Sequence, residues 1–387
     1  RAEEPIPIRM CAKREAGCPR GKWAMQDPRL ELTYMPNFRF VEASGMCPEV
    51  EPLISPEINP YAPVQALPAH AVCVVSFSVS SDLSHSQSPK HAQMLDGIMG
   101  GNGVDPGALM WDARQLKIKR QVLMHGPDMI CIQGLQSIGF AERCSEWEPD
   151  WFSFDDEPAS NHLVHLYRDL SKANYGVAFA PTLQQPDSAV VCFGNAIFWK
   201  RSRWQVEEVR SSHSSSVSVE FASRIEGPRM LVTSTKSAAV YYKDWGDDVS
   251  DVELSDALRS VHAKLVADAS RTDSKLVWCG DFGVEPRTLL QGLASQDKAT
   301  GRKTSWQSAC ATLLGEDPWT SVSKQTDGKA VDLVLHDGGL KVLAVLGGMP
   351  EKVDLAELLK SGYPSDHLPQ LAVFVDAGPS TAPKSFQ

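Results

Sequence analysis

The chain has 387 residues, 42% of them hydrophobic and 22% charged; this is ordinary globular composition with enough apolar material for one large core or two small ones, which excludes a disordered or fibrous chain. A formal net charge of -10 argues against an all-round polyanion binder, because affinity for nucleic acid rests on cationic neutralisation of phosphates, so any RNA contact has to be local. No apolar run reaches the roughly 18 residues needed to cross a bilayer; the longest, Ala71 to Val79 and Leu340 to Leu346, are strand-length.

Nine cysteines stand singly, at 11, 18, 47, 73, 131, 144, 192, 279 and 310. The odd count and the lack of a C-x-x-C pair fit free thiols better than a disulfide framework. The sequence begins with Arg1, which fits either a mature form after loss of a targeting peptide, with a mitochondrion or plastid as destination, or a truncated chain from the cytoplasm.

Along the chain, residues 1–70 carry little periodicity. Pro48, Pro52, Pro56 and Pro60 recur every fourth residue and Pro63 and Pro68 follow, which predicts an extended arm without regular helix or central strand, lying on its own domain or on a partner. From Ala71 to residue 376 short apolar runs alternate with helical patterns, and 377–387 read as a flexible tail. The predicted strands are Val72 to Val79, Met129 to Gln133, Ala189 to Trp199, Val217 to Phe221, Met230 to Thr235, Leu276 to Cys279, Val331 to Leu335, Leu340 to Leu346 and Leu371 to Val375. Helices are predicted after Trp111, from about Ser160 with Leu163, Leu166 and Leu170 in register, and from the capping box Ser250-x-x-Glu253, which aligns Leu254, Leu258, Val261 and Leu265. The serine run Ser211 to Ser216, broken by His213, precedes the alternation Val217, Val219, Phe221 and reads as a turn entering a strand, with no domain boundary. Such mixing predicts layered α/β architecture with helices outside the sheets.

Five stretches in order carry a resemblance: C-V-V-S-F-S-V-S from Cys73; L-M-W-D-A-R from Leu109 with P-D-M-I-C-I-Q-G-L-Q from Pro127; G-N-A-I-F-W-K from Gly194; W-C-G-D-F-G-V-E-P from Trp278; and A-V-D-L-V-L from Ala330 with G-Y-P-S-D-H-L-P from Gly362. Together they resemble the words of the endonuclease/exonuclease/phosphatase superfamily, in its deadenylase and nocturnin-like branch. The resemblance implies a DNase-I-like sandwich, two mixed sheets packed face to face with helices outside, whose strand ends and loops build one cleft. There a carboxylate would hold Mg²⁺ against a substrate phosphate, an Asp would orient the nucleophile, and Asn and His side chains would stabilise developing charge.

Position by position, the resemblance places Asp281 at the nucleophile-orienting Asp, His367 at the phosphate-facing His, Asp366 beside it, and Asp332 at the Asp of the family's D-Y-I word. The family's first-strand Asn is Ser78 here, its metal-holding Glu is Gly134, the His of its T-H-L-K word is Ser234, and the Asn of G-D-F-N is Gly283. Glycine offers no side-chain ligand, so the family's metal site cannot assemble in its usual form. Loss of one stabilising donor alone commonly costs about 10²- to 10³-fold in turnover. The survivors therefore read as remnants that hold strand ends together in a catalytically inactive structural or interaction subunit of a larger assembly, with protein partners and no cofactor. The alternatives are a Mg²⁺-dependent 3′ exonuclease or deadenylase-like phosphodiesterase, to which a carboxylate such as Glu285 would have to contribute, and a module that grips nucleotide or RNA without cutting. Lys236, two residues beyond Ser234 on a predicted strand, is expected to face the cleft and compensate its carboxylates from within about 4 Å.

Overall fold

The computed structural model describes residues 40–42, 70–79, 110–123, 126–138, 161–184, 191–212, 215–225, 227–244, 249–300, 304–321, 329–346 and 363–377. The remainder of the expected arm 1–70, and the expected tail beyond 377, lie outside the described residues.

Thirteen described strands form two sheets. They are β1 (Phe40–Glu42), β2 (Val72–Ser78), β3 (Met129–Ile138), β4 (Tyr175–Gln184), β5 (Val191–Lys200), β6 (Trp204–Ser212), β7 (Ser216–Ser223), β8 (Met230–Thr235), β9 (Lys275–Asp281), β10 (Gln307–Ser308), β11 (Asp332–His336), β12 (Leu340–Leu346) and β13 (Gln370–Asp376). Sheet one runs β1-β12-β13-β2-β3-β5-β4 and sheet two β10-β11-β9-β8-β7-β6. Both are mixed, because β2 pairs parallel with β3 and β8 parallel with β9 while the other neighbours are antiparallel. The helices are α1 (Trp111–Leu123), α2 (His162–Lys172), α3 (Ala238–Asp244), α4 (Asp251–Thr272), α5 (Pro286–Thr300) and α6 (Ala309–Leu314).

Helix α4 starts where the sequence says it should. Ser250 Oγ accepts from the Glu253 amide while the Glu253 carboxylate accepts from Ser250 N, and Leu254, Leu258, Val261 and Leu265 bury on sheet two. On the other side α1 and α2 cover sheet one, with Ile118, Leu163, Leu166 and Leu170 against Cys73, Val75 and Phe77. The serine run is strand at both ends, where a turn was expected: β6 takes in Ser211 and Ser212, β7 begins at Ser216, Ser212 faces Ser216 in register, and residues 213–214 lie outside the described residues.

Pleating decides what fills the space between the sheets, since alternate residues face alternate sides. Val72 and Val74 of β2, Met129 and Cys131 of β3, Val232 of β8, Val277 and Cys279 of β9, Val334 of β11 and Phe374 of β13 share one inter-sheet core. Followed further along the same strands, the same face carries Ser76 and Ser78, Gln133, Ser234 and Asp281, while Asp332 precedes Val334. All six are buried. The inter-sheet layer is therefore apolar over most of its length and polar at one end. Cys73, Cys131, Cys192, Cys279 and Cys310 are buried free thiols.

Candidate functional site

The polar end begins with two carboxylates that the register places opposite each other. Asp332 on β11 pairs with Asp281 on β9 across an antiparallel ladder, and like charges so placed repel unless something cationic intervenes. Two groups intervene. His367 Nδ1 lies 2.7 Å from Asp332 Oδ2 and its Nε2 3.8 Å from Asp281 Oδ2. Lys236 Nζ lies 2.8 Å from that same Asp281 oxygen. All four side chains are at most 5% exposed.

The loop carrying His367 is held by side chains from distant elements. Arg114 of α1, itself buried, donates from Nε to Pro364 O at 2.7 Å. Ser365 Oγ donates to Ser78 O at 2.8 Å and accepts from His367 N at 3.1 Å. Thr320 Oγ1 accepts from Asp332 N at 2.9 Å, and Leu368 N donates to Thr320 O at 2.7 Å. Arg114 belongs to the L-M-W-D-A-R word, yet nothing in its spacing announces that it grips a loop 250 residues away.

Three of the four positions at which the chain departs from the family words now serve the fold. Ser78 Oγ of sheet one donates to Asp281 Oδ2 of sheet two at 3.2 Å. Ser234 Oγ of sheet two accepts from Gln133 Nε2 of sheet one at 2.9 Å, and the same amide reaches Ser76 Oγ at 3.2 Å. Gly283 has φ +65, and a Cβ built there meets Val240 Cγ2 of α3 at 3.1 Å. The space for a larger side chain is thus taken by a valine. Gly134, with φ 80, sits in a bulge of β3 against β5 between Gln133 and Leu135, a conformation that glycine adopts without the cost other residues bear. Asn195 of β5 adds a further tie, from Nδ2 to Ser215 O at 3.1 Å and Lys236 O at 3.3 Å. Gln133, Asn195, Ser365, Thr320 and Arg114 are the members that reading the sequence had not singled out; all but Thr320 lie inside the resemblance words.

The electrostatics follow from burial and pairing. Burial works against the Asp281 carboxylate, but the Lys236 charge, then His367, and hydrogen bonds from Lys236 and Ser78 outweigh it and hold its pKa below the ordinary value. At Asp332 burial dominates, and with Asp281 opposite it its pKa is pushed up to about 6 despite His367. Burial also opposes charge on His367, yet Asp332, Asp281 and Asp366 together push it up to about 10. At neutral pH two anions face two cations, and a protonated His367 has no lone pair with which to take a proton. Asp366 stands at the margin, half-buried, its Oδ1 3.4 Å from Ser365 Oγ. Glu285 is exposed just before α5.

One donor atom each from Asp281, Asp332 and His367 lies within 4.8 Å of the others, close enough for a shared ion, and Asp332 Oδ1 is buried without a hydrogen-bond partner. Mg²⁺ nevertheless does not fit this arrangement. It keeps several waters and shares substrate phosphate, whereas these ligands are closed off from solvent, Gly134 supplies no carboxylate, and Lys236 already pairs with Asp281.

Two mixed sheets packed face to face between helices make an α/β sandwich of the DNase-I-like kind, the fold that the sequence words imply. By structure the chain is similar to the human Nocturnin catalytic domain with bound sulfate, at TM-score 0.53 and 16% identity over 88% of this chain and 99% of that one. It is also similar to ANGEL2, a 2′,3′-cyclic phosphatase, at TM-score 0.51 and 17% identity over 79% of this chain and 95% of that one. No protein-family model and no curated protein sequence matches it.

Proposed function

We infer that this chain is a catalytically silent domain of the endonuclease/exonuclease/phosphatase fold, working as a structural or interaction subunit of a larger assembly. The observation that carries the reading is the closed polar end. The groups that would have to meet a metal and a phosphate are instead buried and bonded across the two sheets, Ser78 to Asp281 and Gln133 to Ser234. Catalysis needs polar groups aimed at reacting atoms; here they are aimed at each other. A net charge of -10 suits protein partners better than bulk RNA.

The competing reading is a Mg²⁺-dependent phosphodiesterase, favoured by the convergence of Asp281, Asp332 and His367 donors within 4.8 Å. Assay of the purified chain on oligoadenylate, a 2′,3′-cyclic nucleotide and a phosphomonoester, with Mg²⁺ or Mn²⁺, separates the two. The silent reading expects no turnover above that of Asp281→Ala. Metal-stimulated turnover that this substitution abolishes overturns it. For the subunit role, the native protein is expected to migrate on a sizing column well above its own 42.4 kDa, and migration as a free monomer counts against it.

A further inference from the structure

Lys236 is enclosed on several sides. Its Nζ lies 2.8 Å from Asp281 Oδ2 and 5.1 Å from the centre of the Tyr241 ring. Its backbone carbonyl accepts from Asn195 Nδ2, and the Tyr241 hydroxyl donates to Gly194 O at 3.5 Å, so both the lysine and the ring beside it are tied to sheet one. A carboxylate and an aromatic face on one ammonium make a receptacle for a cation. The reason a cation is needed lies in the register: Asp281 and Asp332 stand opposite each other and buried. His367 takes Asp332 and Lys236 takes Asp281.

We propose that Lys236 is a built-in cation that occupies the charge-balancing place of a divalent ion, so that the cluster is closed to metal and the fold is independent of one. This deepens the silent-domain reading and rests on it. Lysine is a compact charge on a flexible stem, able to reach a carboxylate from a neighbouring strand end, and it neutralises without polarising a phosphate as a dication does. Removing it strands Asp281 in the interior, the costly half of breaking a buried pair; removing both charges together leaves a smaller, uncharged defect.

The test is thermal unfolding of the wild type, Lys236→Met, Asp281→Asn and the double variant, each in EDTA and in millimolar Mg²⁺ or Mn²⁺. The wild-type midpoint is expected to stay within about 1 °C across these conditions, because a ligand that does not bind the fold does not stabilise it. Lys236→Met is expected to fall by on the order of 10 °C, and the double variant to regain roughly half of that loss. A wild-type midpoint that climbs several degrees with either metal overturns the proposal. So does a Lys236→Met protein as stable as the wild type, or a double variant no better than the single. Should Lys236→Met yield no folded protein, the double variant decides: folded supports the proposal, unfolded sinks it. Turnover measured on the same samples keeps the two ideas apart. Metal-stimulated hydrolysis by the wild type removes the silent-domain reading, whereas a stable Lys236→Met in an inactive protein removes only the built-in cation.

Discussion

The layer between the sheets is held in two different ways along its length. Toward one end Val74, Cys131, Val232, Val277 and Phe374 meet as an apolar core; toward the other, on the same faces of the same strands, Ser78, Gln133, Ser234 and Asp281 meet through hydrogen bonds and an ion pair. The apolar part is non-directional and stabilises in proportion to the area it buries. In the polar part each group depends on a particular partner, because an unpartnered buried polar atom keeps its full desolvation cost. The two halves should therefore fail differently when cut.

The largest effect is expected in the apolar half, where Phe374→Ala should cost about 3–5 kcal/mol, read from chemical denaturation. Unlike the loss in Lys236→Met, it should not be recovered by Asp281→Asn, since no charge is stranded. Recovery there would erase the distinction between the halves.

Next comes pH, to which only the polar half should respond strongly. The folded-state pKa of His367, about 10, lies above the imidazole reference of about 6.5, so its contribution is complete below that reference and is lost as pH rises through 10. Asp332, pushed up to about 6, adds a loss in the same direction at lower pH. Asp281, held below its ordinary value, contributes above that value and is lost as pH falls through its folded pKa. Stability measured from pH 7 to 10 should decline more steeply in the wild type than in His367→Gln; parallel curves would contradict the charged imidazole.

A smaller effect is expected at Gln133. Its Nε2 joins Ser76 and Ser234, yet its Oε1 is buried without a partner, so Gln133→Met removes an orphan along with two bonds. The expected cost is about 1 kcal/mol, with a coupling to Ser234→Ala of similar size in a double-mutant cycle. Additivity would mean the sheets are not joined there.

How much of this was legible follows from the same contrast. The inter-sheet strands could be read because they are apolar on both faces, as in β2 and β9, and α4 because its capping box is written in the sequence. Strand β4 was missed because Pro181 interrupts it near a register shift, which an edge strand tolerates, and β6 because a bulge between Val206 and Glu208 breaks its alternation. Pro286, read as the close of a motif, is the first residue of α5, where a missing amide costs nothing. At the site, Asp281, Asp332 and His367 could be placed together through the family words, and Lys236 by counting two residues along a strand from Ser234. The grip of Arg114 on Pro364 and the Gln133 bridge could not, because each joins positions far apart in the chain that only the packed sheets bring together.

At Gly134 the expected change in turnover is nil. Replacement by Glu restores the carboxylate of the family words but places it at φ 80, at a strain of about 1–2 kcal/mol, and no turnover should appear, because Lys236 still pairs with Asp281. Activity in this variant would place the whole defect in one residue.

Equilibrium binding of Mn²⁺ to the wild-type protein, followed by the electron paramagnetic resonance signal of the free ion, tests the closed, metal-independent polar end most directly. The free-ion signal is expected to match that of buffer at every protein concentration; loss of signal at one ion per chain, reversed by Asp281→Asn, would contradict it.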